Sequence, residues 1–273
     1  MNRLLFFRLS ISEMSFVYLL MLTAIEFPVT IDLFGKTFLL HPFMEGLGMF
    51  MGMRYYQLLK WKDKESLGHT NSLLIVIAAA LGALIGSHII GSLERPEELL
   101  SAVSKIRYIW LNNTIVGGLA GGLLGVELIK KILGKKESTG DLMVFPLIVA
   151  IMIGRIGCFY TGIFEQTYGL PTECPLGMYL GDAYRRHPVA LYEIAFLILL
   201  FILLQWFKRR FIGQNGVLFQ LFMLSYFSFR FLLDFIKPRA IILFGMSTIQ
   251  ITCLIVIIYY IYLLKNAHIE RKV

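Results

Sequence analysis

The chain has 273 residues, 57% of them hydrophobic and only 16% charged, with a mean hydropathy of +0.71. Average soluble domains carry roughly 25% charge, so a water-soluble globular fold is excluded and the excess apolar surface must face lipid. The net charge of +8 does not point to nucleic acid, because Lys and Arg fall in short clusters between apolar runs, the placement that marks cytoplasmic loops.

Residues 4–25 are apolar but contain Arg8 and Glu13. They read as an interfacial helix, with an additional span as the alternative, and they lack the small-residue cleavage site of a signal peptide. Seven mostly apolar stretches follow, at about 37–59, 70–92, 112–133, 142–164, 187–207, 215–236 and 244–264, each near the roughly 20 residues that a spanning helix needs. No ten-residue alternating pattern recurs, which argues against a membrane barrel. The predicted fold is an all-α membrane protein, a polytopic bundle of about seven transmembrane helices. Without an internal repeat or linker, the simplest organisation is an N-terminal interfacial segment at 1–36, one transmembrane domain at 37–265 and a tail at 266–273.

The basic clusters set an orientation. Lys60, Lys62 and Lys64 follow the first stretch, and Lys130, Lys131, Lys135 and Lys136 follow the third. Lys208, Arg209 and Arg210 follow the fifth, and Lys265, Arg271 and Lys272 lie at the C-terminus. All four fall on one side, which the positive-inside rule makes cytoplasmic. The 93–111 and 165–186 loops then face outward, carrying Glu94, Glu97, Glu98, Glu165, Glu173 and Asp182.

Charged groups at membrane depth persist when they are paired or line a wet cavity. Arg155 lies late in the fourth stretch. Arg230 lies in the sixth, with Asp234 four residues on and on the same helix face. The two either neutralise each other or leave Arg230, with Arg155, to bind an anion, since guanidinium contacts phosphate bidentately. At the outer boundary, His187 precedes Pro188, Tyr192 and Glu193, and His41 stands four residues before Glu45. Each histidine reads as a helix cap or as a proton acceptor. Gly117, Gly118, Gly121 and Gly122 form a close helix-packing face or a backbone surface that admits a lipid headgroup. Three cysteines are too few for a disulfide framework. Cys253 is a small core residue, and Cys158 is a packing residue or a reactive thiol. The five His and three Cys show no metal-ligand spacing.

These residues resemble the prolipoprotein diacylglyceryl transferase family, over about 27–264. Gly154-Arg155-Ile156-Gly157-x-Phe159 with Gly162 is similar to its signature, and Arg186-His187-Pro188-x-x-Leu191-Tyr192-Glu193 to its Arg-x-Pro-(Ser/Thr)-Gln-Leu-Tyr-Glu motif. Phe229-Arg230-Phe231 with Asp234-Phe235, Gly245-Met246-Ser247-x-x-Gln250 and Gly117-Gly118-Leu119-x-Gly121 resemble three further segments. The chain departs from the family where Val116 replaces a His, where Cys158 and Thr161 replace Asn, and where Ala190 replaces Gln. His41 and Glu45 stand in place of the family's first-span tyrosines, and His88 stands for an arginine.

The resemblance implies transfer of diacylglyceryl from phosphatidylglycerol to the Cys thiol in the lipobox of a prolipoprotein signal peptide. The setting would be the bacterial inner membrane, with the site toward the outer leaflet. Neither a cofactor nor a nucleic-acid partner is implied, and the other partners are membrane lipids. Arg155, Arg230, Tyr192, Gly117, Gly118, Asp234 and Gln250 would bind substrate. His41, Glu45, His187 and Glu193 are the candidates for proton transfer, with His41 ahead of His187. The alternatives are a transferase of the same fold with a different acceptor, and a non-enzymatic transporter. The second would need paired broken helices in symmetric halves, and the sequence has none.

Overall fold

The structure, a computed structural model, describes residues 25–62, 69–135, 140–208 and 216–270. The interfacial helix expected at 4–25 lies almost wholly outside the described residues. The first element is instead a two-stranded antiparallel hairpin, β1 (Thr30–Leu33) and β2 (Lys36–Leu39). Its two-residue turn, Phe34-Gly35, has positive φ at both positions, 53° and 74°, as a tight turn matched to strand twist requires. The chain is therefore mostly helical rather than all-α, and the first long helix begins at Leu40, three residues later than expected.

Seven long helices follow, with two short ones between the second and third: α1 (Leu40–Lys62), α2 (His69–Ser92), α3 (Pro96–Ser101), α4 (Lys105–Leu111), α5 (Ile115–Ile132), α6 (Val144–Thr161), α7 (Val189–Lys208), α8 (Val217–Leu233) and α9 (Thr248–Glu270). Single 3-10 turns flank α6 and follow α8. Among the described residues, five helical segments are long and apolar enough to cross a membrane: Asn71–Ser92, Asp141–Phe164, Val189–Lys208, Val217–Ile236 and Thr248–Lys265. The two other long helices are more polar. α1 carries His41, Glu45, Arg54 and Lys60, and α5 carries Glu127, Lys130 and Lys131. The core gathers residues of α5, α6, α7, α8 and α9 around Phe145, Ile148, Leu197, Phe222, Met223 and Ile249. Large apolar side chains such as Ile85, Leu128, Ile202 and Ile255 point outward, where lipid is their natural partner.

Two helix crossings depend on glycine. Between α2 and α5, a Cβ on Gly86 would stand 2.4 Å from Gly117 O, and one on Gly121 would stand 2.2 Å from Gly82 O. The Gly82-xxx-Gly86 and Gly117-xxx-Gly121-xxx-Gly125 rows thus mesh backbone to backbone. Gly117 is packing surface in this fold. Between α1 and α6, a Cβ on Gly48 would lie 2.6 Å from Ala150 O, and one on Gly157 would lie 3.0 Å from His41 Cα. This second crossing brings the start of α1 against the end of α6.

Hydrogen bonds pin the helix ends. Asp141 accepts from Gly216 N (2.7 Å) and Phe219 N (2.9 Å), capping α8 from across the bundle. His88 stacks on Trp110, at 5.0 Å between centroids, and its Nδ1 lies 3.2 Å from Asn112 O, holding α4 to α2. In the 165–186 segment, β3 (Met178–Tyr179) pairs with β4 (Arg185–Arg186). Arg186 donates to Asp182 through both Nε (2.8 Å) and Nη2 (2.7 Å) and lies over the Tyr168 ring. Those hydrogen bonds hold the Asp182 carboxyl below the usual carboxylate range.

The α2–α5 crossing yields a direct test. Gly121→Leu should force these helices apart and destabilise the protein by about 1–3 kcal/mol or more, the usual range for overpacking. Gly118→Ala meets Ser87 Cβ at an ordinary 3.7 Å and should leave thermal unfolding in detergent unchanged. Equal melting temperatures for the two variants would show that the crossing is not close-packed.

Candidate active site

α6, α7 and α8 each contribute a polar residue to one point inside the bundle. Glu193, five residues into α7 and 1% exposed, sits between Arg155 of α6 and Arg230 of α8. Arg230 Nη1 donates to Glu193 Oε2 at 2.8 Å, and Tyr226, one turn earlier on α8, donates its hydroxyl to Oε1 at 2.7 Å. Arg155 Nε lies 2.9 Å from the same Oε2, an ion pair by distance although its N–H does not point at that oxygen. The Nε–H groups of both arginines are buried and lack an acceptor in hydrogen-bond geometry. Within this trio one carboxylate faces two guanidiniums.

The network continues outward through α6. Arg155 Nη1 donates to Cys158 Sγ at 3.4 Å, one turn further along the helix. Cys158 Sγ in turn lies 3.4 Å from His41 Nε2 at the start of α1. The missing side chain of Gly157, beside Cys158, lets His41 approach this closely. His41 Nε2 also lies 3.4 Å from Glu45 Oε1, and its Nδ1 pairs with Glu165, just beyond the end of α6. A continuous chain of contacts therefore runs from Glu165 through His41, Cys158 and Arg155 to Glu193, Arg230 and Tyr226.

Several residues singled out by sequence join this chain, and several stand apart from it. His41, Glu45, Arg155, Glu193 and Arg230 belong to it. Glu193, grouped by sequence with the boundary proton acceptors, is the shared counter-ion of the two arginines. His187 pairs instead with Tyr192 (Nδ1 to hydroxyl, 3.2 Å). Asp234 does not neutralise Arg230 in the manner that i,i+4 spacing suggests. It accepts from Ser247 Oγ at 2.5 Å, and Gln250 accepts from Ser247 N at 3.1 Å and from Arg239 Nη1. These residues close the start of α9. Gly117 sits in the α2–α5 crossing, and Gly118 faces Ser87 and Ala83 of α2. Val116 is fully buried in the apolar core. Sequence reasoning missed Glu165 and Tyr226 as members of this site, and it left Cys158 open between a packing residue and a reactive thiol. Only the match of Cys158 to a signature position hinted at the latter, and no local pattern places Glu165 against His41, 124 positions away in the chain.

A small pocket opens on this site. It is lined by Cys158, Gly162, Thr167, Tyr168, Leu180 and Ala190, among others. Thr167 Oγ1 is buried there without a hydrogen-bond partner. Among the described residues, no group of three or more His, Cys, Asp or Glu is arranged to hold a metal ion.

Comparison with known proteins places this arrangement in a family. Residues 22–265 match the prolipoprotein diacylglyceryl transferase family. The phosphatidylglycerol–prolipoprotein diacylglyceryl transferase of Methylococcus capsulatus is 33% identical over 215 residues, covering 72% of this chain and 75% of that protein. The protein of the same name from Bordetella bronchiseptica is 32% identical over 190 residues, 62% of this chain and 68% of the relative. The one from Clostridium tetani is 26% identical over 257 residues, 90% of this chain and 99% of its own. The chain belongs to the prolipoprotein diacylglyceryl transferase family.

Proposed function

We propose that this protein transfers diacylglyceryl from phosphatidylglycerol to the cysteine thiol in the lipobox of a prolipoprotein signal peptide. The observation that carries this reading is the pair of buried guanidiniums sharing Glu193. Two guanidiniums face one carboxylate and Arg230 Nε–H has no acceptor, a charge and donor pattern that complements a phosphodiester. As the glyceryl carbon–oxygen bond breaks, negative charge grows on the departing glycerol phosphate. Arginines preorganised for that charge stabilise the transition state more than the ground state. The thiol must lose its proton to become a nucleophile. His41 supplies the acceptor, and Glu165 on its Nδ1 orients Nε2 toward the site.

All seven long helices span the bilayer in this reading, within one catalytic domain. α1 and α5 are too polar to qualify alone, yet the glycine crossings hold each against an apolar partner, α6 and α2. The Lys and Arg clusters orient the protein in the inner membrane with the C-terminus inside and the 165–186 segment outside. The His41–Cys158 end of the network then faces the outer leaflet.

Incubating the purified protein with phosphatidylglycerol and a lipobox peptide should yield a thioether-linked diacylglyceryl peptide, detected by mass. Arg155→Lys and Arg230→Lys should each lower kcat/KM by about 10²-fold, since a point charge cannot reproduce a bidentate contact. Full turnover in both Lys variants would place phosphate binding elsewhere. The pH dependence carries a definite sign. A proton acceptor works only when unprotonated, so kcat/KM should fall on the acid side of the profile, and His41→Gln should remove that limb. His187→Gln should leave the profile in place. For topology, a cysteine introduced at Asp182 should react with an impermeant maleimide added outside spheroplasts. Labelling only after lysis would invert the orientation.

A further inference from the structure

We propose that Cys158 is itself a catalytic thiol, a proton relay between the acceptor thiol and His41. The inference rests on the transferase reading and goes beyond it by naming the group that touches the acceptor. Three observations converge on Cys158. Its Sγ contacts His41 Nε2 and Arg155 Nη1, each at 3.4 Å. Glu165 takes Nδ1 of His41, and Glu45 Oε1 lies 3.4 Å from the same Nε2 that faces Sγ, so two carboxylates and the thiol share one imidazole. Cys158, and not His41, lines the adjacent pocket, where Thr167 Oγ1 lies buried and unpartnered. A carboxylate, an imidazole and a thiol linked in this order form a nucleophile-activating constellation. Of the residues in this chain of contacts, Cys158 is the one that borders the pocket.

The proton balance is simple. The Cys158 S–H bond breaks and its proton passes to His41 Nε2, while Arg155 stabilises the thiolate. The acceptor cysteine then gives its proton to the Cys158 thiolate. This exchange is between two alkyl thiols, uphill by the amount that Arg155 stabilises the Cys158 thiolate and drawn forward as the acceptor sulfur is consumed. The acceptor sulfur forms its bond to the glyceryl carbon, and the carbon–oxygen electron pair leaves with the glycerol phosphate. Cys158 ends the cycle protonated, and His41 releases its proton to water. Cys158 does not attack the lipid in this scheme, because a thioether at Cys158 would be a poor leaving group and would end turnover.

The test has one arm with turnover and one without. In the turnover arm, Cys158→Ser preserves shape but supplies a far weaker acid. It should lower kcat by about 10²-fold, the lower range for general acid–base catalysis, with KM for phosphatidylglycerol within about twofold. The His41→Gln/Cys158→Ser double variant should be no slower than the slower single variant by more than about threefold, because residues acting as a unit are not additive. In the second arm, iodoacetamide is applied to the resting protein at neutral pH without substrate, and each cysteine is followed by peptide mass. Cys158 should be alkylated at least about tenfold faster than Cys253, which is buried among apolar residues, and His41→Gln should abolish that excess. Parental kcat and pH profile in Cys158→Ser would overturn the relay. So would a Cys158 that stays unmodified, or whose alkylation rate is indifferent to His41. If the alkylation pattern holds while the parent protein transfers nothing to the lipobox peptide, the transferase reading fails and the activated thiol stands.

Discussion

Two positive charges held inside an apolar bundle by one carboxylate constrain everything around them. Glu193 touches Arg155, Arg230 and Tyr226, which lie on different helices from its own. An unpaired ion at this depth costs several kcal/mol, so α6, α7 and α8 hold their depth and rotation to keep the contacts. The arrangement is also asymmetric. Two guanidiniums face one carboxylate, and Arg230 Nε–H is buried without an acceptor, a poor design for stability alone.

Around this centre, glycine governs distance. Charged residues can meet only where backbones approach, and the α1–α6 crossing achieves that at Gly48 and Gly157. The consequence is chemical, because the same approach sets His41 against Cys158. The α2–α5 crossing uses the same device without a charged residue at the contact, and there it serves packing. Similar glycine rows thus have different consequences, decided by the residues that flank them.

The departures from the family pattern gain a physical account. The position of the expected histidine is Val116, which the fold seals in its core. His41 reaches the site from another helix, and Cys158, standing for an asparagine, is the residue it contacts. The two substitutions touch each other, so the imidazole and the thiol are best understood as one changed unit.

The membrane-protein class, the mostly helical fold and the presence of arginines within apolar stretches were legible in the sequence because they rest on local physics. About twenty apolar residues cross a bilayer, and an arginine among them needs a reason to be there. The hairpin at 30–39 was not legible, because ten residues beside an apolar run carry little periodicity. Partnership was not legible either. Spacing within one helix suggested Arg230 with Asp234, whereas the folded protein gives Arg230 to Glu193 and Asp234 to Ser247. An i,i+4 neighbour is available in any helix, but a buried ion takes the partner that completes its burial, and that partner lies on whichever helix packs closest. Sequence by itself determined which residues had to be accounted for inside the membrane. Only the tertiary structure decided that His41, Cys158 and Arg155 form a line, because their contacts depend on a backbone approach that Gly157 permits and no single helix encodes.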